Sequence, residues 1–128
     1  MNYLIDTHLL LWAAFASAKL PKAARQIMAE PRHQLWFSAA SIWEVSIKRA
    51  LNRPDFRVDP GALRAGLLAN GYHDLPVESR HCLALSALPA LHGDPFDRML
   101  LAQAQQRGAA LASVDRRFPA YGVRLLGQ

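Results

Sequence analysis

Short apolar runs that end at a helix-opening residue recur along this chain, and that alternation restricts it to few folds. Tyr3-Leu4-Ile5 reads as a buried strand that stops at Asp6, after which Thr7 is placed to cap a helix over 8–16. Pro21 opens a helix over 21–30 and Pro31 stops it. Residues 34–37 read as a strand, and Ser38 as the cap of a helix over 39–49. The polar stretch 52–60, with two prolines, reads as a loop. A helix over 61–69 ends at Asn70-Gly71, a short strand follows at 72–75, and 78–88 is helical. Pro95 starts a helix to Arg107 that Gly108 closes, and 109–113 and 123–126 read as the last strands. Strands alternating with helices predict a mostly parallel sheet covered on both faces. In such sheets the binding crevice lies beyond the carboxyl ends of the strands.

A length of 128 residues suits one domain spanning 1–128, and a 52% apolar content excludes a disordered tail. The apolar run 9–16 is too short for a bilayer, which needs about 20 residues. No basic segment precedes Asp6, so no signal peptide is expected. The single cysteine, Cys82, excludes an internal disulfide and suits a reducing compartment. A soluble, cytoplasmic protein is expected. Fifteen Lys and Arg against ten Asp and Glu give +5, a balance that favours polyanions, nucleic acid above all.

With so few acids, their positions carry information. Asp6 follows the first strand and is also placed to cap a helix. Asp94-Pro95-Phe96-Asp97 has a capping account too: Asp94 at the cap, Pro95 at the first helical position, Asp97 three residues on. Asp115 follows the strand at 109–113 and suits a turn. Glu44 is harder to explain by capping. On a helical wheel Ser41, Glu44 and Lys48 form one narrow polar stripe, while Ile42, Trp43, Val45 and Ile47 fill much of the rest. A helix this apolar should be buried on most sides, with its polar stripe facing a cleft. The competing account is a solvated Glu44–Lys48 pair at i,i+4. Taken together, Asp6, Glu44, Asp97 and Asp115 fall at the carboxyl edge of the expected sheet, where their mutual repulsion calls for a cation. Oxygen donors of this kind suit Mg²⁺ or Mn²⁺ and not zinc. A hard divalent cation on a basic protein points to phosphodiester chemistry.

The chain resembles PIN domains, in particular the VapC-type ribonuclease toxins. Four segments carry the resemblance: Tyr3-Leu4-Ile5-Asp6-Thr7-His8; Ser38-Ala39-Ala40-Ser41-Ile42-Trp43-Glu44; His92-Gly93-Asp94-Pro95-Phe96-Asp97-Arg98-Met99-Leu100; and Ala112-Ser113-Val114-Asp115. Their order and spacing match over nearly the whole chain. The resemblance implies a PIN-like three-layer α/β/α sandwich with a mostly parallel central sheet. It also implies a metal-dependent endoribonuclease in which Asp6, Glu44, Asp97 and Asp115 are both the catalytic and the metal-binding set, using Mg²⁺ or Mn²⁺. Asp94 would be an additional acid of the third motif, between capping and metal support. Ser113 stands where such domains often carry threonine, a swap that keeps the hydroxyl. The implied partners are an RNA substrate and a small cognate antitoxin, and the implied products carry a 5′ phosphate and a 3′ hydroxyl.

Trp12, Trp36 and Trp43, set among apolar neighbours, are expected in the core, as is Cys82. His8 and His92 border the acid motifs and are expected to serve local hydrogen bonds. Lys48, Arg49, Arg53, Arg57, Arg98, Arg116 and Arg117 are candidates for a phosphate-contacting rim. Leu9, Leu10, Leu11 and Trp12 cover all sides of one helix, which suggests a homodimer interface. Other acid-edged folds fit less well. A receiver domain needs an acidic pair after the first strand, a haloacid-dehalogenase-like phosphatase needs an acid where His8 stands, and a Rossmann domain needs a glycine-rich turn there. The alternative from another class is a catalytically silent PIN-like module that binds RNA or protein.

Overall fold

Residues 1–54, 56–89 and 93–115 are described by the computed structural model. Their elements keep the expected alternation: β1 (Asn2–Ile5), α1 (Thr7–Ala14), α2 (Lys22–Ala29), β2 (Gln34–Ser38), α3 (Ala39–Ala50), α4 (Pro60–Ala69), β3 (His73–Leu75), α5 (Ser79–Ala84), α6 (Pro95–Arg107) and β4 (Ala110–Ala112). The strands form one sheet in the order β3-β2-β1-β4, and each described pairing is parallel. The order reverses beside β1, so a crevice opens at the carboxyl end of that strand, where Asp6 begins. The expected strand at 123–126 lies outside the described residues, as do His92, Arg116 and Arg117.

Period-two alternation along the strands builds one core on each face of the sheet. Ile5, Leu35, Phe37 and Ala112 point to the side of α1 to α4, where they meet Leu9, Leu10, Ala24, Val45, Leu63 and Leu67. Leu4 and Leu111 point the other way, towards Leu100, Leu101 and Ala104 of α6. Each fully buried Leu, Ile or Phe stabilises the fold by roughly 1.5–3 kcal/mol. The result is the expected α/β/α sandwich. Among the described residues, no helix is long and apolar enough to cross a membrane.

The caps decide where helices start. Ser38 Oγ accepts from the Ala40 amide at 2.9 Å, as expected. At α1 the cap is Asp6 and not Thr7, because Oδ1 of Asp6 accepts the Leu9 amide at 2.9 Å. Thr7 instead turns inward to Ser41. Gly108 ends α6 in the left-handed region at φ 71°, where a side chain would be strained.

One expected helix boundary and two expected side-chain environments fail. The helix expected over 78–88 is shorter, α5 followed by a 3₁₀ turn at Leu85–Ala87. Within α5 it is His81 that is fully buried, accepting the Glu78 amide on Nδ1, while Cys82 is exposed. Trp12 and Trp36 are partly buried, but Trp43 is 63% exposed. α3 packs on β2, α4 and α6, and Trp43, Ile47 and Leu51, spaced four apart, lie on the part of its surface that this packing leaves exposed, with only the edge of Phe96 against Trp43.

Candidate active site

Asp6 leaves the carboxyl end of β1 and enters the crevice 2% exposed. One of its oxygens caps α1, and the other accepts a hydrogen bond from the Ser113 hydroxyl. The same Ser113 oxygen accepts the Asp115 amide at 3.0 Å. One hydroxyl beyond β4 therefore ties the first acid to the last. Burial pushes the Asp6 carboxyl above its ordinary value; the Ser113 and Leu9 hydrogen bonds and the nearby His8 oppose the rise, and Asp115 adds to it. His8 is exposed and stacks obliquely on Trp12, with ring centroids 6.0 Å apart.

Glu44 reaches the crevice from α3 and is 6% exposed. Its polar stripe faces inward as expected: Ser41 is fully buried, and its hydroxyl pairs with that of Thr7 at 2.8 Å. That bond fastens the start of α1 to α3, and with it Asp6 to Glu44. A second bond, Ser38 Oγ to Gln103 Oε1 at 2.5 Å, fastens the start of α3 to α6. Sequence reasoning missed these hydroxyl and amide links; the available signal was polar residues spaced into otherwise apolar segments. Lys48 Nζ stands 3.3 Å from Glu44 Oε2, and Glu44 Oε1 is buried without a hydrogen-bond partner among the described residues.

The third motif divides its labour. Asp94 caps α6, accepting the Phe96 and Asp97 amides at 2.8 and 3.2 Å. Asp97, one turn into the helix, is 8% exposed and belongs to the crevice. Its carboxyl is pushed up to about 7, first by burial and then by the charges of Asp94, Asp6, Glu44 and Asp115. Asp6, Glu44, Asp94 and Asp115 are therefore all near enough for their charges to act on Asp97. Arg98, expected on a phosphate rim, instead donates to the carbonyls of Pro89 and Leu85 at 2.8 and 3.2 Å.

The residues fit a hard divalent cation. A buried carboxylate oxygen on Glu44 lacks a partner among the described residues, and the Asp97 carboxyl is raised first by burial and then by like charges, which a cation would offset. Among the described residues no three acidic or histidine side chains already form a metal cage, so the set is a charged crevice and not a finished coordination sphere.

A family model for the PIN domain matches residues 3–123. Solved structures of the same architecture include VapBC2 from Rickettsia felis bound to a DNA fragment from their promoter. That match has 12% identity, a TM-score of 0.70, and coverage of 98% of this chain and 97% of that one. Mycobacterium tuberculosis VapC20, a sarcin–ricin loop cleaving toxin, is similar at 18% identity, with coverage of 95% and 96% and a TM-score of 0.69. DNA-bound VapBC from Salmonella typhimurium is similar at 17% identity, with coverage of 98% and 96% and a TM-score of 0.68. The comparison with curated sequences gives no significant match.

Proposed function

The chain belongs to the PIN domain family, and on that premise we propose that it is a metal-dependent endoribonuclease, the toxin of a toxin–antitoxin pair. The observation that carries the reading is the set of carboxylates acting on Asp97, gathered at the carboxyl edge of a parallel sheet. Similarity to VapC20, a sarcin–ricin loop cleaving toxin, supports RNA as the substrate.

In this reading Asp6, Glu44, Asp97 and Asp115 hold Mg²⁺ or Mn²⁺, directly or through water. When bound, the ion supplies an activated water near neutral pH and offsets charge on the phosphate. The protein's own groups prepare the site. Ser113 holds Asp6 Oδ2, Thr7 and Ser41 lock the two helices that carry Asp6 and Glu44, and Asp94 aims the first turn of α6. With its carboxyl pushed up to about 7, Asp97 would be roughly half protonated near neutral pH without a cation, and a bound cation would favour its ionised form.

The VapBC similarities support a small antitoxin partner. An apolar groove of about 610 Å³ between α1, α2 and α4, lined by Leu10, Phe15, Met28, Leu63, Leu67 and Tyr72, fits an amphipathic segment of such a partner. For the homodimer, the 9–12 run is the wrong surface, because Leu9 and Leu10 are fully buried inside the chain. The exposed stripe Trp43, Ile47 and Leu51 on α3, with Phe96 against Trp43 at 5.0 Å, is the better one. A cytoplasmic location accords with this assignment.

The test is cleavage of defined single-stranded and looped RNAs in Mn²⁺ and in EDTA, with analysis of product ends. Metal-dependent cuts leaving a 5′ phosphate and 3′ hydroxyl are expected. Products with a 2′,3′-cyclic phosphate, or cleavage untouched by EDTA, would remove metal-assisted hydrolysis from the account.

A further inference from the structure

This inference rests on the RNA-cleaving reading and asks which cation near the crevice meets the substrate. Several of the basic residues around it are already engaged. Arg49 donates to the Arg57 carbonyl, and Arg98 holds the carbonyls of Leu85 and Pro89. Lys48 is placed differently. Its Nζ stands 3.3 Å from Glu44 Oε2, and the two side chains are 35% and 8% exposed respectively. The ammonium therefore sits at the lip of the crevice, between a buried acid and solvent. The Phe56 ring centroid lies 5.9 Å from the same nitrogen, within cation–π range.

Folding stability does not account for this arrangement. An i,i+4 pair at a solvent edge adds little, and burying Glu44 with one oxygen unpartnered is unfavourable. Substrate approach does account for it. A phosphodiester strand is repelled by the acids around Asp97 and must come in where positive charge stands in front of them. An ammonium has three donors, and the salt bridge to Glu44 uses one. We propose that Lys48 is the phosphate-binding residue of the crevice, its ammonium bridging Glu44 Oε2 and a phosphodiester oxygen of the bound RNA. Glu44 is then also a positioning group for Lys48, and its unpartnered Oε1 remains available to a cation while Oε2 keeps the lysine in place.

The experiment measures binding of a fluorescein-labelled single-stranded RNA in EDTA, by anisotropy, across a series of NaCl concentrations. Wild type is compared with Lys48→Met, Lys48→Gln and Lys48→Arg. For the two neutral variants we expect affinity on the order of tenfold weaker at low salt and a log–log salt slope shallower by about 0.7, the value for one phosphate on a single strand. Arginine should restore the slope. Thermal unfolding of each variant, expected near that of wild type, checks the fold. A series of RNAs, each with one neutral methylphosphonate linkage, then locates the contact: one linkage should weaken wild type and leave the neutral variants indifferent. An unchanged slope in both neutral variants, or losses at every linkage that simply add to theirs, overturns the proposal and leaves Lys48 a counter-ion of Glu44. Wild-type cleavage of the same RNA in Mn²⁺ is run alongside. Its absence sinks the nuclease reading, while the slope still judges Lys48.

Discussion

Ser113 donates its hydroxyl hydrogen to Asp6 across 107 positions of sequence, joining the end of β4 to the end of β1. The bond favours the charged form of Asp6, which burial disfavours. The same oxygen anchors the Asp115 amide. Ser113→Ala should therefore cost about 1–3 kcal/mol of stability by orphaning buried groups. If the proposed metal site is real, it should also weaken the rise in Tm expected with Mn²⁺, because a ligand that binds only the native state stabilises it. Ser113→Thr should retain both properties. Equal Mn²⁺ responses in the alanine variant and wild type would show that the hydroxyl does not support the site.

Asp6→Asn isolates the charge of the first acid. In metal-free buffer it should leave stability unchanged or raised, since one member of a repelling set is neutralised. In saturating Mn²⁺ it should lose most of the wild-type rise in Tm. A wild-type Tm indifferent to saturating Mn²⁺ would count against a shared metal site altogether.

The third motif separates capping from chemistry. Asp94→Ala removes a cap that holds two amides and should cost roughly 0.5–2 kcal/mol, read from urea midpoints. Asp97→Asn keeps the shape and loses the charge, so the fold should survive while RNA cleavage falls by a hundredfold or more, on the order of 3 kcal/mol. Wild-type cleavage by Asp97→Asn would reverse the two roles.

Asp97 also predicts how metal-free stability depends on pH. Its carboxyl titrates at about 7 in the folded chain and at an ordinary 3.8 when unfolded, so between those values the folded state binds more protons. Stability should then fall as pH rises through that window, on the order of 1–2 kcal/mol between pH 5 and 8 after allowance for solvent screening. Asp97→Asn should flatten the profile in EDTA, and saturating Mn²⁺ should flatten it in wild type. A wild-type profile in EDTA that rises with pH would contradict the electrostatic account of the crevice.

The exposed stripe on α3 makes a separate prediction about assembly. Ile47→Asp, placed away from the acids on that stripe, should shift the mass measured by light scattering from dimer to monomer without changing the helical signal. A wild type that is already monomeric at high concentration would remove the stripe as a dimer interface.

Much of this protein is legible in its sequence because the relevant signals are local. Ser38, Asp94-Pro95 and Gly108 act through bonds to amides a few positions away or through their own backbone angles, so helix boundaries follow from them. The alternation of strands and helices leads to a parallel sheet, and a parallel sheet puts strand-end residues such as Asp6 and Asp115 on one edge. Tertiary structure decided which side of each helix is covered. Periodicity reports that α3 is apolar around much of its girth, but only its packed neighbours determine that Val45 is buried and Trp43 is not. In α5 a shift of one residue turns His81 inward and Cys82 outward, a difference that composition does not encode. The hydroxyl bonds from Thr7 to Ser41 and from Ser113 to Asp6 likewise join residues 34 and 107 positions apart. Those partners are chosen by the meeting of strands and helices in three dimensions, because hydrogen bonds depend on a few ångströms of approach that no local pattern records.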